Sequence, residues 1–68
     1  MYTFKKELSE TIKQKYKARN IANIVGISEG YLSQIFQRGK NCSKKTAYAI
    51  TKALNSDAEI ENYFISNK

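Results

Sequence analysis

Apolar residues along this chain come in short groups at helical spacing, and residues with helix-capping chemistry separate the groups. Phe4, Leu8 and Ile12 recur every fourth position, which lays one apolar stripe along a first helix over about residues 3–16. The cluster Ile21, Ala22, Ile24 and Val25 predicts a short second helix. Gly26 follows it, where a helix end wants a residue that tolerates positive φ. Ser28 is a good N-cap for a third helix, and Leu32, Ile35 and Phe36 follow at helical spacing. Gly30, in the first turn of that helix, costs about 1 kcal/mol relative to Ala. The stretch from Gln37 to Cys42 is polar and reads as a loop. Ser43 then caps a fourth helix carrying Ala47, Ile50, Ala53 and Leu54 on one face, and Asn55 ends it. The run Ser56-Asp57-Ala58-Glu59 has the S-x-x-E pattern of a capping box and opens a short last helix, with Ile60, Tyr63 and Phe64 inward. The pattern predicts an all-α fold, a compact bundle of about five short helices.

The absence of proline, with only three glycines, lets these helices run nearly end to end. Sixty-eight residues are expected to make one domain, residues 1–68, with a thin core and no room for a large enzyme cleft. With no His, one Cys and no Trp, the chain lacks the groups for a His-based triad and for ordinary metal sites. No cysteine pair or converging carboxylates take their place. No catalytic residue, metal or cofactor is therefore expected, and the chain does not read as an enzyme. A lone cysteine cannot staple a monomer, which points to a reducing, cytoplasmic setting. No apolar run approaches the length of a membrane span, and the N-terminus lacks the apolar stretch of a signal peptide. No membrane is expected among the partners.

Charge adds direction to this picture. Twelve Lys and Arg stand against six Asp and Glu, for a net charge of +6. Residues 1–12 balance, with Lys5 and Lys6 against Glu7 and Glu10, and residues 53–68 are net acidic through Asp57, Glu59 and Glu61. Between them, residues 13–52 carry nine basic residues and one acid, Glu29. Such a concentration suits a face that binds a polyanion, and it also suits a plain solvated surface.

Two short helices joined by a turn of about three or four residues containing glycine make the helix-turn-helix unit. The segment Ala18 to Gln37 reads ARNIANIVGISEGYLSQIFQ. Ala22 is the small residue that lets the second helix approach, Gly26 serves the turn, and Ile21, Val25, Ile27, Leu32 and Ile35 join the helices through apolar contact. A plain helical hairpin has the same ingredients. Within this segment, IANIVGISEGYLSQI resembles the Cro/cI (XRE-like) repressor domains of phages and bacteria, and the resemblance extends over essentially the whole chain. It implies a lambda-repressor-like bundle in which the third helix, about residues 28–37, reads double-stranded DNA in the major groove. NCSKKTAYAITKAL followed by EIENYF is similar to small phage-type regulators of Gram-positive bacteria. Two departures stand out. The glycine that usually follows the reader helix directly is displaced to Gly39, behind Arg38, and Cys42 occupies a place where proline is frequent.

The resemblance, carried over position by position, puts Glu29, Gly30, Ser33 and Gln34 toward the bases. Gln34 can bond bidentately to adenine, and Glu29 can accept from cytosine N4 or simply favour a helix N-terminus. Ser33 discriminates poorly. Gly30 has no side chain to read with, although it lets the backbone approach closely. Tyr31 suits a thymine methyl or a phosphate. Arg38, Lys40, Lys44 and Lys45, with the N–H groups after Ser43, suit phosphate contact at the end of the reader helix and the start of the next. Lys17 and Arg19 suit the opposite flank, where the family's first motif helix meets the backbone.

Cys42 offers a redox sensor or a passive substitution, and having no second cysteine favours the passive role. Tyr16, Tyr48 and Tyr63 suit helix packing better than stacking on single strands. Tyr63, Phe64 and Ile65 suit either the closing of the monomer core or a homodimer seam through the C-terminal helix. The expected function is a transcriptional regulator, a repressor of phage or prophage type, with no small-molecule ligand. The alternative is a phage-encoded protein-binding module on the same fold, an antirepressor or an inhibitor of a host nuclease.

Overall fold

In the computed structural model, which describes residues 1–67, the chain begins as a strand rather than a helix. Strand β1 (Tyr2–Phe4) pairs antiparallel with a last strand, β2 (Phe64–Ser66), in the register Tyr2↔Ser66, Thr3↔Ile65 and Phe4↔Phe64. Between them lie one 3-10 turn (Lys6–Leu8) and five helices: α1 (Ser9–Lys15), α2 (Ala18–Val25), α3 (Glu29–Arg38), α4 (Lys44–Leu54) and α5 (Ile60–Tyr63). The fold is mostly helical with five helices, as expected, and adds a small two-stranded sheet that the sequence pattern did not predict. Tyr, Thr and Phe are good strand formers and indifferent helix formers. Given a partner strand, residues 2–4 take it, and the helix expected from about residue 3 starts at Ser9.

Phe4 therefore reaches the core from a strand. It is 2% exposed and meets Phe36 at 4.7 Å between ring centroids, Phe64 edge-on at 5.3 Å and Tyr63 at 6.3 Å. Ile12, Ile21, Ala22, Leu32, Ile35, Ala47, Ile50 and Leu54 complete the interior, one stripe from each longer helix. Its polar members are satisfied. Buried Thr51 donates its hydroxyl to the Ala47 carbonyl at 2.9 Å, and Tyr16 donates to the Leu54 carbonyl at 2.8 Å, tying the end of α1 to the end of α4.

Gly26 ends α2 at φ 87°, and its N–H and that of Ile27 both donate to the Ala22 carbonyl, at 2.7 and 3.1 Å. Ser28 then caps α3, accepting the Tyr31 N–H at 3.1 Å, and Ser43 caps α4 by accepting that of Thr46. Ile24 is on the open face of α2, 68% exposed. One further expectation changes. Ser56 does not open the last helix. Asn55 takes the Asp57 N–H onto its side chain, Lys52 reaches the carbonyls of Ser56 and Ala58, and Glu59 caps α5, its N–H held by Asn62. The three residues offered for core closure or a homodimer seam divide between two elements. Phe64 and Ile65 lie in β2, Phe64 is buried in this chain's own core with Tyr63 packed against that core, and only Ile65 of the three is exposed. Among the described residues no helix is long and apolar enough to cross a membrane.

Gly26 and Gly30 respond oppositely to a methyl group. Neither has an atom within 4 Å of an added Cβ, so backbone conformation alone decides. Gly26→Ala should lose about 1–2 kcal/mol, because an L-residue resists positive φ. Gly30→Ala, inside α3, should gain up to about 1 kcal/mol. Urea unfolding of the two variants checks both signs.

Candidate nucleic-acid interface

Helix α3 divides its residues between two environments. Leu32 and Ile35 have no exposed surface, and Tyr31 and Phe36 pack beside them. Glu29, Gly30, Gln34 and Gln37 are exposed on the other side, with Ser33 half-buried at the boundary. That outer side forms one wall of an open groove of 640 Å³, and the end of α1 and the start of α2 form the other. Lys13, Lys17 and Arg19 bring positive charge to it, Asn20, Ser33 and Gln37 bring neutral hydrogen-bonding groups, and Glu29 is the one acid in its lining.

The structure thus gathers four of the expected residues, Lys17, Arg19, Glu29 and Ser33, around one cavity. It joins two of them directly. Arg19 Nε lies 4.0 Å from Glu29 Oε1, the only ion pair among the described residues. Gly30 and Gln34 are exposed on α3 but outside the groove lining. Lys13, Asn20 and Gln37 line the groove although the sequence reading passed over them. Gln37 had a usable signal, since it continues the series Glu29, Ser33, Gln37 at four-residue spacing, and α3 runs on to Arg38. Lys13 and Asn20 become neighbours of α3 only through the packing of α1 and α2.

The second group of cations begins at Arg38, the last residue of α3, and runs into the first turn of α4. Gly39 turns the chain at φ 66°, and its N–H and that of Lys40 both donate to the Gln34 carbonyl. Lys40 then places its ammonium 5.6 Å from the centre of the Tyr31 ring, a cation–π contact that brings these two expected residues together. Arg38 lines a separate cleft of 190 Å³ with Lys6, Thr3 and Phe36. Lys44 and Lys45 are exposed in the first turn of α4, which contains no acid. The Ser43 hydroxyl is engaged in the cap, accepting from the Thr46 N–H at 3.3 Å and donating to Thr46 Oγ1 at 3.1 Å. The two groups line different cavities, Lys17 and Arg19 the larger groove and Arg38 the smaller cleft.

The loop that carries Lys40 is anchored by Cys42. Its N–H donates to the Tyr2 carbonyl at 2.9 Å, and its carbonyl accepts the Tyr2 N–H at 2.8 Å. The thiol is 1% exposed, which suits packing and not redox sensing. Comparison with protein-family models, curated proteins and solved structures finds no match to this chain. What the groove does must be argued from its own residues.

Burial pushes the Cys42 thiol above its ordinary value of 9.0, and the N-terminal ammonium offsets part of that rise. Between the ordinary and the raised value the unfolded chain has lost this proton while the folded chain keeps it. Stability should therefore be unaffected by this group below pH 9.0 and fall as pH rises above it. Urea unfolding of the native chain and of Cys42→Ala across that range checks the sign. The variant is less stable throughout because of its cavity, and it should lack this component of the alkaline loss.

Proposed function

We propose that this chain is a sequence-specific double-stranded DNA-binding regulator in which α2 and α3 act as a helix-turn-helix and α3 enters the major groove. One observation carries the reading. The exposed side of α3, rich in hydrogen-bonding groups, shares an open groove with Lys13, Lys17 and Arg19, and the exposed cations Arg38, Lys40, Lys44 and Lys45 follow from the last residue of that helix onward. Phosphates border the groove that a reader helix enters, so cations beside that helix suit such docking. A net charge of +6 adds long-range attraction. The resemblance to Cro/cI repressor domains points the same way.

On this reading, phosphate contacts supply most of the affinity and Glu29, Ser33 and Gln34 supply discrimination, with Gly30 admitting the backbone. The chain acts in the cytoplasm as a repressor of phage or prophage type, covering a promoter and excluding polymerase.

Selection of bound duplexes from a random-sequence pool, at near-physiological salt, tests this directly. A palindrome with half-sites one helical turn apart indicates a dimeric regulator, and a single half-site a monomeric one. Failure to enrich any sequence, with binding that vanishes as salt rises, sinks the reading in favour of a protein partner. On the enriched site, Gln34→Ala should lose about 1–3 kcal/mol of discrimination at one base position. Lys44→Ala should weaken all duplexes alike and reduce the salt slope by about 1.

A further inference from the structure

The cleft of 190 Å³ beside the end of α3 has walls of two kinds. One kind is apolar. The Phe4 ring, almost fully buried, and the half-buried Phe36 ring line it with their centroids 4.7 Å apart. Thr3 adds a methyl group, since its hydroxyl is engaged with the side chains of Asn41 and Asn67. That methyl lies 3.6 Å from the point where a side chain on Gly39 would begin, and glycine there keeps the wall low. The other kind is cationic. Lys6, which follows β1, and Arg38, which ends α3, are both exposed and both line the cleft. No acid lines it. Glu7 and Glu10, close to Lys6 in the chain, are outside the lining, and the only ion pair among the described residues is that of Arg19 with Glu29. Two like charges thus stand beside one apolar hollow without a counter-charge.

We propose that this cleft binds a small aromatic carboxylate, with its ring against Phe4 and Phe36 and its carboxylate between Lys6 and Arg38. Size sets the class of ligand. A cavity of about 150 Å³ takes up benzene, so 190 Å³ admits one six-membered ring with its substituent at the mouth, and is too small for a nucleotide. The ring gains from leaving water and from edge-on or offset contact with two Phe rings. The carboxylate matches the fork of N–H groups on a guanidinium, and the Lys6 ammonium adds a second attraction. Inorganic phosphate would satisfy the cations and leave the apolar wall wet. A neutral ring would cover that wall and leave the cations unpaired. A ligand with both parts answers both walls. No small-molecule ligand is expected from the sequence, because residues 3–6 and 36–39 become neighbours only through the packing of β1 against α3. Such a site does not depend on DNA binding.

Titration of the full chain with benzoate, benzamide and inorganic phosphate, followed through backbone amide NMR shifts, tests the site. Benzoate should move the amides of Thr3, Phe4 and Lys6 and those from Phe36 to Gly39, and should saturate them. Its Kd should be about 0.1–1 mM, the range open to a ligand of so few atoms. Benzamide and phosphate should bind there at least about tenfold more weakly. Lys6→Gln and Arg38→Gln should each weaken benzoate about threefold to tenfold, and the double variant should bind it no better than benzamide. Benzamide should bind these variants as it binds the wild type, which separates a lost charge from a lost cleft. Lys15→Gln removes the same charge from an exposed residue outside the cleft and should leave the benzoate Kd unchanged. Equal affinity for benzamide and benzoate overturns the role of the two cations. Phosphate binding as tightly as benzoate makes Lys6 and Arg38 a plain phosphate contact and overturns the aromatic ligand. If benzoate at about 10 mM, at least tenfold above the expected Kd, produces no saturable shift at these amides, there is no site. None of these outcomes alters the result of the duplex selection, so the two readings stand or fall separately.

Discussion

The backbone of Tyr2 is engaged on both edges, paired with Ser66 in β2 on one side and exchanging two hydrogen bonds with Cys42 on the other. Two residues on, Phe4 sends its ring into an aromatic cluster with Phe36 from α3 and with Tyr63 and Phe64 from the end of the chain. This short strand is where the first, middle and last parts of the molecule meet. Closing so long a loop is less costly than it looks, since each doubling of loop length adds only about 0.6 kcal/mol. Burying one Phe side chain contributes about 1.5–3 kcal/mol, enough to offset several such doublings. The end of α3 and the loop from Gly39 to Ser43, which bear Arg38 and Lys40, are tied to this strand through Phe36 and Cys42. The Thr3 hydroxyl extends the tie to Asn41 at 2.6 Å.

What could be read beforehand was local, and what could not depended on distant partners. Ser28, Ser43 and Gly26 each carry a physical demand that one residue and its neighbours satisfy, and the structure puts all three at the helix ends expected of them. The series Phe4, Leu8, Ile12 shows the opposite case. Its four-residue spacing is real, and all three side chains turn inward, yet only Ile12 does so from an α-helix. Spacing reports which residues want burial, and a strand can deliver Phe4 to the core as well as a helix can. Choosing between them required Phe64 and Ile65, about sixty residues away. Ser56 failed for a related reason. Its S-x-x-E pattern fits a cap, but Asn55 and Lys52 hold that turn first, and the helix waits for Glu59. For the candidate interface, membership of α3 was legible from period alone, and the far wall of the groove was not. Lys13 and Asn20 join it through the packing of three helices.

The same packing decides how freely the proposed interface can change. Along α3, the stripe through Leu32 and Ile35 holds the molecule together, and the stripe through Glu29, Ser33 and Gln37 makes no contribution that the core requires. In a chain this small there is little stability to spare, so a surface that had to serve both purposes would be confined to a few residue choices. A helix gives this separation for nothing, because positions three or four apart share a face while their immediate neighbours turn away. The Arg19–Glu29 pair lies wholly on the outer side of that division. Its exposure, which makes it nearly irrelevant to folding, leaves it free to be set by whatever the groove meets. Charges on an exposed face with little folding role are where selection by a partner, and not by the fold, would be expected to act.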